Sequence, residues 1–325
     1  MLRLGIALGL VRLSAALLIP APPASHQAAL RAPDLDSSAL DSSAPLPAAT
    51  PATPRACNGH EKLCGRRYSD VTMIGTHNSA FVGDTPFHNQ FVSLTEQLDM
   101  GVRFLTAQTH NRLGRIELCH TSCWELDVGP LSSYLHELAH WIDNHPDDVV
   151  TLLLTNMEAI SMDKFDEDLV AAGLAEYAFR PGGSVVARDG WPTLQQLLNA
   201  GTRLVVFMDY HADLSKTDCI LPEFDYFWET PYGITDDEFP TCSVDRPSGG
   251  DPDRLMGVMN HMLNFQLGDI VFPNMLDAAT TNSLASIQKQ VDLCKSQGKP
   301  QPNVVLLDWA NIGEAQKAHQ VLNAL

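Results

Sequence analysis

Two histidines stand where a folded chain most readily uses them. Gly75-Thr76-His77-Asn78-Ser79 follows the apolar run Val71 to Ile74, and Leu118-Cys119-His120-Thr121-Ser122-Cys123 follows a second run, Val102 to Ala107, beyond a turn. Imidazole is the side chain whose ordinary pKa lies nearest neutrality. Two of them at successive strand ends are therefore candidates to take one proton and deliver another. Either alone would read as a surface or hydrogen-bonded residue. A further arrangement, His136-Glu137-Leu138-Ala139-His140, has the spacing of a zinc metalloprotease helix. The longer pattern wants glycine at position 143 and histidine at 146, whereas this chain has Asp143 and Pro146, with Glu158, just past an apolar strand, as the downstream candidate for a third ligand. That reading is set aside.

Something must hold the two histidines in place. Val71 to Ile74, Val102 to Ala107, Val149 to Leu154, Leu204 to Met208 and Val304 to Leu307 are short apolar runs of the kind buried on both faces of a sheet. Helical stretches alternate with them. Leu131, Leu135, Leu138 and Ile142 fall at helical spacing before the stop at His145-Pro146, and similar stretches cover Met162 to Ala172, Thr193 to Ala200, Thr281 to Lys295 and Ala315 to Leu325. Alternating strands and helices imply a parallel sheet, and no Gly-x-Gly-x-x-Gly turn follows any strand to favour a dinucleotide fold. The expected architecture is α/β: an irregular parallel (β/α) barrel of the TIM type, forming a single catalytic domain, with its chemistry at the strand ends.

The rest of the chain bounds what that domain does. Thirty-nine acidic against 21 basic residues give a net charge of −18, which excludes nucleic acid as a partner and disfavours strong docking to anionic lipid. Residues 1–29, with Arg3 ahead of apolar stretches and small residues, are expected to be a secretory signal, and residues 30–56 an Ala-, Pro- and Ser-rich disordered linker. The catalytic domain is then 57–325. Neither apolar stretch is long enough to span a bilayer, and the closing helix lacks the apolar tail of a glycolipid anchor signal. Seven cysteines fit an oxidising, extracellular setting: Cys57 with Cys64, Cys119 with Cys123, and Cys219 with Cys242 bracket loops, which leaves Cys294 over. With no C-x-x-C pair, zinc is the weaker reading of these cysteines.

The stretch Tyr68-Ser69-Asp70-Val71-Thr72-Met73-Ile74-Gly75-Thr76-His77-Asn78-Ser79 resembles the opening strand of the phosphatidylinositol-specific phospholipase C X-domain. Gly101-Val102-Arg103-Phe104-Leu105 resembles the second strand of that superfamily, Leu118-Cys119-His120 its second histidine, Asn144-His145-Pro146 through Leu154 its third strand, and Asn303 to Trp309 its last. The likeness covers residues 57–325 and is nearest to secreted fungal members. It implies that His77 acts as base, His120 as acid and Asp308 as the group that orients His77. It also implies a phospholipid or other phosphodiester as substrate, with transient contact at a membrane surface and, for phosphatidylinositol, diacylglycerol and a cyclic inositol phosphate as products. Asn78, Gln108, His110 and Asp209 are the expected substrate-binding residues.

The departures from that family narrow the expectation. Thr106, Gln108 and Thr155 stand where calcium-dependent members carry carboxylates, and metal-free bacterial members place an arginine at the position of Gln108. No metal and no cofactor are expected, and His110 or Arg112 would have to neutralise the phosphate. The acidic groups that metal-dependent glycerophosphodiester and sphingomyelin relatives keep close to the first histidine are absent. A catalytically silent secreted barrel that binds a lipid head group or a partner is the alternative. Phe227, Trp228 and Tyr232 would touch lipid or sugar, or else pack as core. The sequence does not specify the oligomeric state.

Overall fold

The computed structural model describes residues 56–325 apart from Asp269. The signal expected over 1–29 and nearly all of the linker expected over 30–56 lie outside the described residues. Twelve strands succeed one another: β1 Met73–Thr76, β2 Phe104–Arg112, β3 Arg115–His120, β4 Leu126–Pro130, β5 Val150–Thr155, β6 Leu204–Met208, β7 Ile220–Pro222, β8 Phe227–Glu229, β9 Met256–Asn260, β10 Asn264–Leu267, β11 Ile270–Pro273 and β12 Val304–Leu307. Between them lie α1 Glu61–Cys64, α2 Leu94–Asp99, α3 Leu131–Asn144, α4 Met162–Ala171, α5 Leu194–Asn199, α6 Ala278–Thr281, α7 Leu284–Ser296 and α8 Ala315–Leu322.

Eight of the strands curl into a parallel sheet in the order β7-β6-β5-β2-β1-β12-β9-β8. This is the irregular β/α barrel expected, left unclosed at one seam, because β7 and β8 pair only with their inner neighbours. β2 outruns the barrel, folding back as an antiparallel meander with β3 and β4, while β10 and β11 form a separate hairpin.

Side chains alternate across a strand, so one face of each strand fills the lumen and the other meets the helices. Met73, Phe104, Leu153, Val205, Phe207, Leu221, Phe227, Val258, Val304 and Leu306 form the lumen, floored by Tyr68 and the Trp191 stacked on it 4.5 Å away. Ile74, Leu105, Leu152, Leu154, Val206, Val305 and Leu307 face outward, packing with the inner stripe of α3 that carries Leu131, Leu135, Leu138 and Ile142. Burying each such side chain contributes about 1.5–3 kcal/mol. Filling is tight beneath His77: a Cβ on Gly75 would come within 2.9 Å of Leu306 Cδ1 and 3.1 Å of Val304 Cγ1. The helices begin where local chemistry dictates. Ser93 with Glu96, and Thr193 with Gln196, form capping boxes at α2 and α5.

One cysteine expectation is overturned. Cys57–Cys64 and Cys119–Cys123 are bridged, but Cys242 joins Cys294, and Cys219 is a buried free thiol. Ile287, Gln290, Val291 and Cys294 make one buried stripe of α7, so the helix carries Cys294 inward to the β8–β9 connection. Cys219 sits just before β7 in the core, 3.3 Å from the Thr217 hydroxyl. Proximity along the chain was a poor guide because α7 supplies the partner from 52 residues away.

Candidate active site at the strand ends

The alternation that fills the lumen with apolar groups reaches polar residues at its upper end. Two or four residues beyond the lumen-facing positions come His77, Thr106 and Gln108, Thr155, Asp209, Glu223, Glu229, Asn260 and Asp308. They form one polar layer at the carboxyl ends of the strands, where barrels place their chemistry. An open cleft of about 790 Å³ is lined by Arg67 and Asp70, which precede β1, by Asp225, which precedes β8, and by Asp253, which precedes β9, and so belongs to the opposite end.

His77 leaves β1 with its Nδ1 2.9 Å from Asp308 Oδ1. A carboxylate at this distance accepts, so Nδ1 carries the proton and Nε2 presents its lone pair. Asp308 is 5% exposed against 27% for His77. It also accepts a hydrogen bond from Asn89 Nδ2 at 2.9 Å, and Asn89 Oδ1 in turn accepts from Asn78 Nδ2 at 3.1 Å. Asn78 makes the turn after His77 at φ 49°, a left-handed conformation that asparagine tolerates. Its side chain is buried in this relay.

His120 ends β3 inside the short loop closed by Cys119–Cys123. Its Nδ1 lies 2.5 Å from the Phe87 carbonyl, which can only accept, so here too Nε2 is the nitrogen left for chemistry. The ring stacks on buried Phe81 at 5.2 Å. Desolvation is the main influence lowering its pKa below the ordinary 6.5, with the neighbouring His77 acting in the same direction and the Phe87 carbonyl and Asp308 opposing.

One loop holds both histidines. Residues 83–90, between β1 and α2, supply Phe87 O to His120 and Asn89 to Asp308, while Gln90 Nε2 donates to His77 O at 2.8 Å and Leu307 O at 3.1 Å. None of these three was marked by the sequence reading. A buried Asn and Gln in a Gly-, Pro- and His-containing loop give no periodic signal, and a backbone carbonyl gives none at all.

The other expected residues are placed differently. Thr106 Oγ1 accepts from Asn78 N, Gln108 Oε1 from Thr121 N and Thr155 Oγ1 from Thr109 N. Thr106 and Gln108 thus brace the two histidine loops, while Thr155 ties β5 to β2. That donor set does not suit calcium, and among the described residues no group of three His, Cys, Asp or Glu gathers to hold a metal ion. His110 Nδ1 pairs with Glu158 Oε1 at 2.7 Å, while Arg112 pairs with Asp127 and Arg115 with Glu117. All three sit on the β2–β3 hairpin, each already paired with an acidic side chain. Asp209 lines the polar layer, with Oδ1 accepting from Asn156 N and Tyr210 N at 2.7 Å; burial foremost raises its pKa.

Across the layer stands a cation the sequence reading passed over. Arg246 Nη2 is 2.5 Å from Glu229 Oε2, and its guanidinium lies between the rings of Phe224 and Tyr232, 5.6 and 5.1 Å from their centroids. Asn260 Nδ2 donates to the same carboxylate oxygen at 3.2 Å. Of the three aromatic residues singled out earlier, Phe227 and Trp228 are core, and Tyr232 is exposed beside this arginine.

A family model described as PI-PLC X 1 matches residues 63–323. "PI-PLC X domain-containing protein 1" of Arthroderma benhamiae is 46% identical over 274 residues, 83% of this chain and 90% of that protein. An "Uncharacterized secreted protein" of the same fungus is 37% identical over 274 residues, 81% of this chain but only 62% of its own length. Among solved structures, a mutant of phosphatidylinositol-specific phospholipase C from Staphylococcus aureus superposes with a TM-score of 0.53 over 80% of this chain and 94% of that one, at 13% identity, a likeness of fold. On the family model and the 46% identical relative, the chain belongs to the PI-PLC X domain family.

Proposed function

We propose that this protein is a secreted phosphodiesterase that cleaves a phospholipid, with phosphatidylinositol the favoured substrate, by general acid and base catalysis from His77 and His120. The observation that carries the reading is the matched treatment of the two imidazoles. Each has its Nδ1 fixed by a pure acceptor, Asp308 for His77 and Phe87 O for His120, and each leaves Nε2 for a substrate.

In the proposed reaction His77 Nε2 removes the proton of the inositol 2-hydroxyl, and that oxygen forms a bond to phosphorus. The bond from phosphorus to the diacylglycerol oxygen breaks, and His120 donates its Nε2 proton to the departing oxygen. The products are a cyclic inositol phosphate and diacylglycerol. Asp308 stabilises the imidazolium that His77 becomes, as a carboxylate does behind a catalytic histidine. Asn89 and Asn78 hold that carboxylate in position. Asp209, Glu229 and Arg246 are assigned to the head-group hydroxyls. No step is assigned to a metal. Export is supported by the three disulfides and by the word "secreted" in one relative's name.

A second reading has one observation in its favour. His110, Arg112 and Arg115 are each paired with an acidic group, which leaves the phosphate without an evident free cation among them. A barrel that binds a head group without cleaving it would need none. Phosphorus NMR of phosphatidylinositol micelles in excess chelator decides between the two. The enzyme reading expects a new cyclic phosphodiester resonance that is lost in His77→Ala and in His120→Ala. Absence of that resonance with the unaltered protein, combined with undiminished head-group binding, selects the silent barrel.

A further inference from the structure

We infer that Asn282, at the junction of α6 and α7, is a positioning residue for the His77–Asp308 pair: it fixes the turn that aims the Asp308 carboxylate at Nδ1 of His77. The inference rests on the reading of His77 as the base, and it adds the group that keeps Nε2 of that base free of a proton.

The starting observation is a backbone outlier. Trp309, the residue after Asp308, has φ 44°. A bulky side chain is rare in this left-handed region, because Cβ crowds the following carbonyl oxygen, and the conformation persists only where its surroundings impose it. The Trp309 side chain supplies no polar reason for it, since the indole Nε1 is buried without a hydrogen-bond partner. The backbone contacts do. Trp309 N donates to Asn89 O at 2.7 Å, and Ala310 N to Gln90 Oε1 at 3.2 Å. Asn282 Nδ2 donates to Asp308 O at 2.8 Å and to Trp309 O at 3.1 Å. In a continuing strand successive carbonyls point in opposite directions, so one amide serves both only where the chain turns. Asp308 is the residue at which this turn leaves β12, and its Oδ1 lies 2.9 Å from His77 Nδ1.

Asn282 is itself held from several sides. It is buried, and its carbonyl accepts from Glu314 N at 2.8 Å, which ties it to the start of α8. Gly313 lies against it: a Cβ there would come within 2.8 Å of both Asn282 Cβ and the Asn282 carbonyl oxygen. The preceding carbonyl, that of Thr281, accepts from Nε2 of the buried His261 just past β9. A fixed amide thus spans the two carbonyls that set the direction of Asp308. Without it Trp309 relaxes towards an ordinary conformation, and the carboxylate shifts relative to His77. Which imidazole nitrogen carries the proton is decided by the hydrogen bond the ring makes, and Asp308 draws it to Nδ1. Loosening Asp308 returns the proton to Nε2, the atom that must be bare to act as base.

The test is Asn282→Ala in the full chain, beside Asn323→Ala. Asn323 is another buried amide serving two carbonyls, Thr72 O at 2.8 Å and His319 O at 2.9 Å, but it lies at the amino end of β1. It controls for the loss of a structural amide. The tautomer of His77 is read by long-range proton–nitrogen NMR, with His77→Ala assigning the signal, and kcat and KM are measured on phosphatidylinositol micelles. Asn282→Ala alone should move neutral His77 from the Nδ1–H towards the Nε2–H form. Its kcat should fall by about 10- to 100-fold while KM stays close to that of the unaltered protein. Should Asn282→Ala fail to fold, Asn282→Ser, with one hydrogen for two carbonyls, gives the same reading. An unmoved tautomer in the folded Asn282 variant overturns the inference, as does a tautomer shift or a loss of kcat that Asn323→Ala reproduces. The NMR needs no turnover. A tautomer shift in a protein that leaves phosphatidylinositol uncleaved would sink the enzyme reading alone, whereas turnover with an unmoved tautomer would sink the positioning role alone.

Discussion

His77 and His120 are the same side chain given opposite tasks by what surrounds them. Each is oriented through Nδ1, but His77 by a carboxylate that favours gaining a proton, and His120 by a neutral carbonyl in a desolvated place stacked on Phe81. The carboxylate suits a base, which becomes a cation in the reaction, whereas desolvation works against the protonated form from which His120 must start as the acid. Desolvation also fixes a pH dependence. A general acid works only when protonated, and the pKa of His120 lies below 6.5, lowered mainly by desolvation. As pH rises through that lowered value the acid form is lost, so kcat/KM should fall with an alkaline midpoint below 6.5, leaving an optimum on the acid side of neutrality. The check is a pH profile of kcat/KM on phosphatidylinositol in mixed micelles. An alkaline limb that begins only above neutrality would give the acid role to some group other than His120.

Among the elements, the long disulfide makes the sharpest expectation. Cys242–Cys294 ties the helix-free β8–β9 connection to α7 and closes a loop of 52 residues, which in the chain-entropy account is worth ~4 kcal/mol. Replacing both cysteines by serine should lower stability by about 2–4 kcal/mol. Titration of unreduced protein should find one reactive thiol in denaturant and none before it, with Cys219 as the labelled residue in a peptide map. Labelling at Cys294 instead would mean that the pairing read from chain proximity was right. This loop also shows how far the sequence could be read. Long apolar runs such as Leu204 to Met208 became β6 without change, because burial on both faces leaves an unmistakable pattern. The three-residue strands β7 and β8 carry too few positions for a period, and the outer half of β2 reads as polar loop because it is paired outside the core. In the site, His77, His120 and Asp308 were legible from strand ends and resemblance. The loop 83–90 that positions all three was not, since its work is done by a carbonyl and two buried amides.

On the scale of the molecule, the barrel's open seam is where acidity is stored. Glu223 follows β7 and Glu229 lies on β8, so the two carboxyls meet where the strands do not pair. Arg246 and Asn260 serve Glu229, while both oxygens of Glu223 are buried without a donor. Two carboxylates and an Asp209 around one guanidinium are best accommodated with a proton kept on Glu223. Burial foremost, then the charge of Glu229, raises its pKa well above the ordinary 4.5. The sign follows from linkage: between that ordinary value and the raised one the folded chain holds a proton that the unfolded chain has released, so stability is lost as pH rises across this window. Glu223→Gln supplies a neutral isostere and removes the dependence. Urea melts at intervals from about pH 4 to pH 8 should show the two proteins converging at the acid end, with the variant more stable and its curve flatter towards neutrality. If the variant keeps the slope of the unaltered protein, the proton is held elsewhere, with Asp209, also raised by burial and on the same polar layer, the next group to replace.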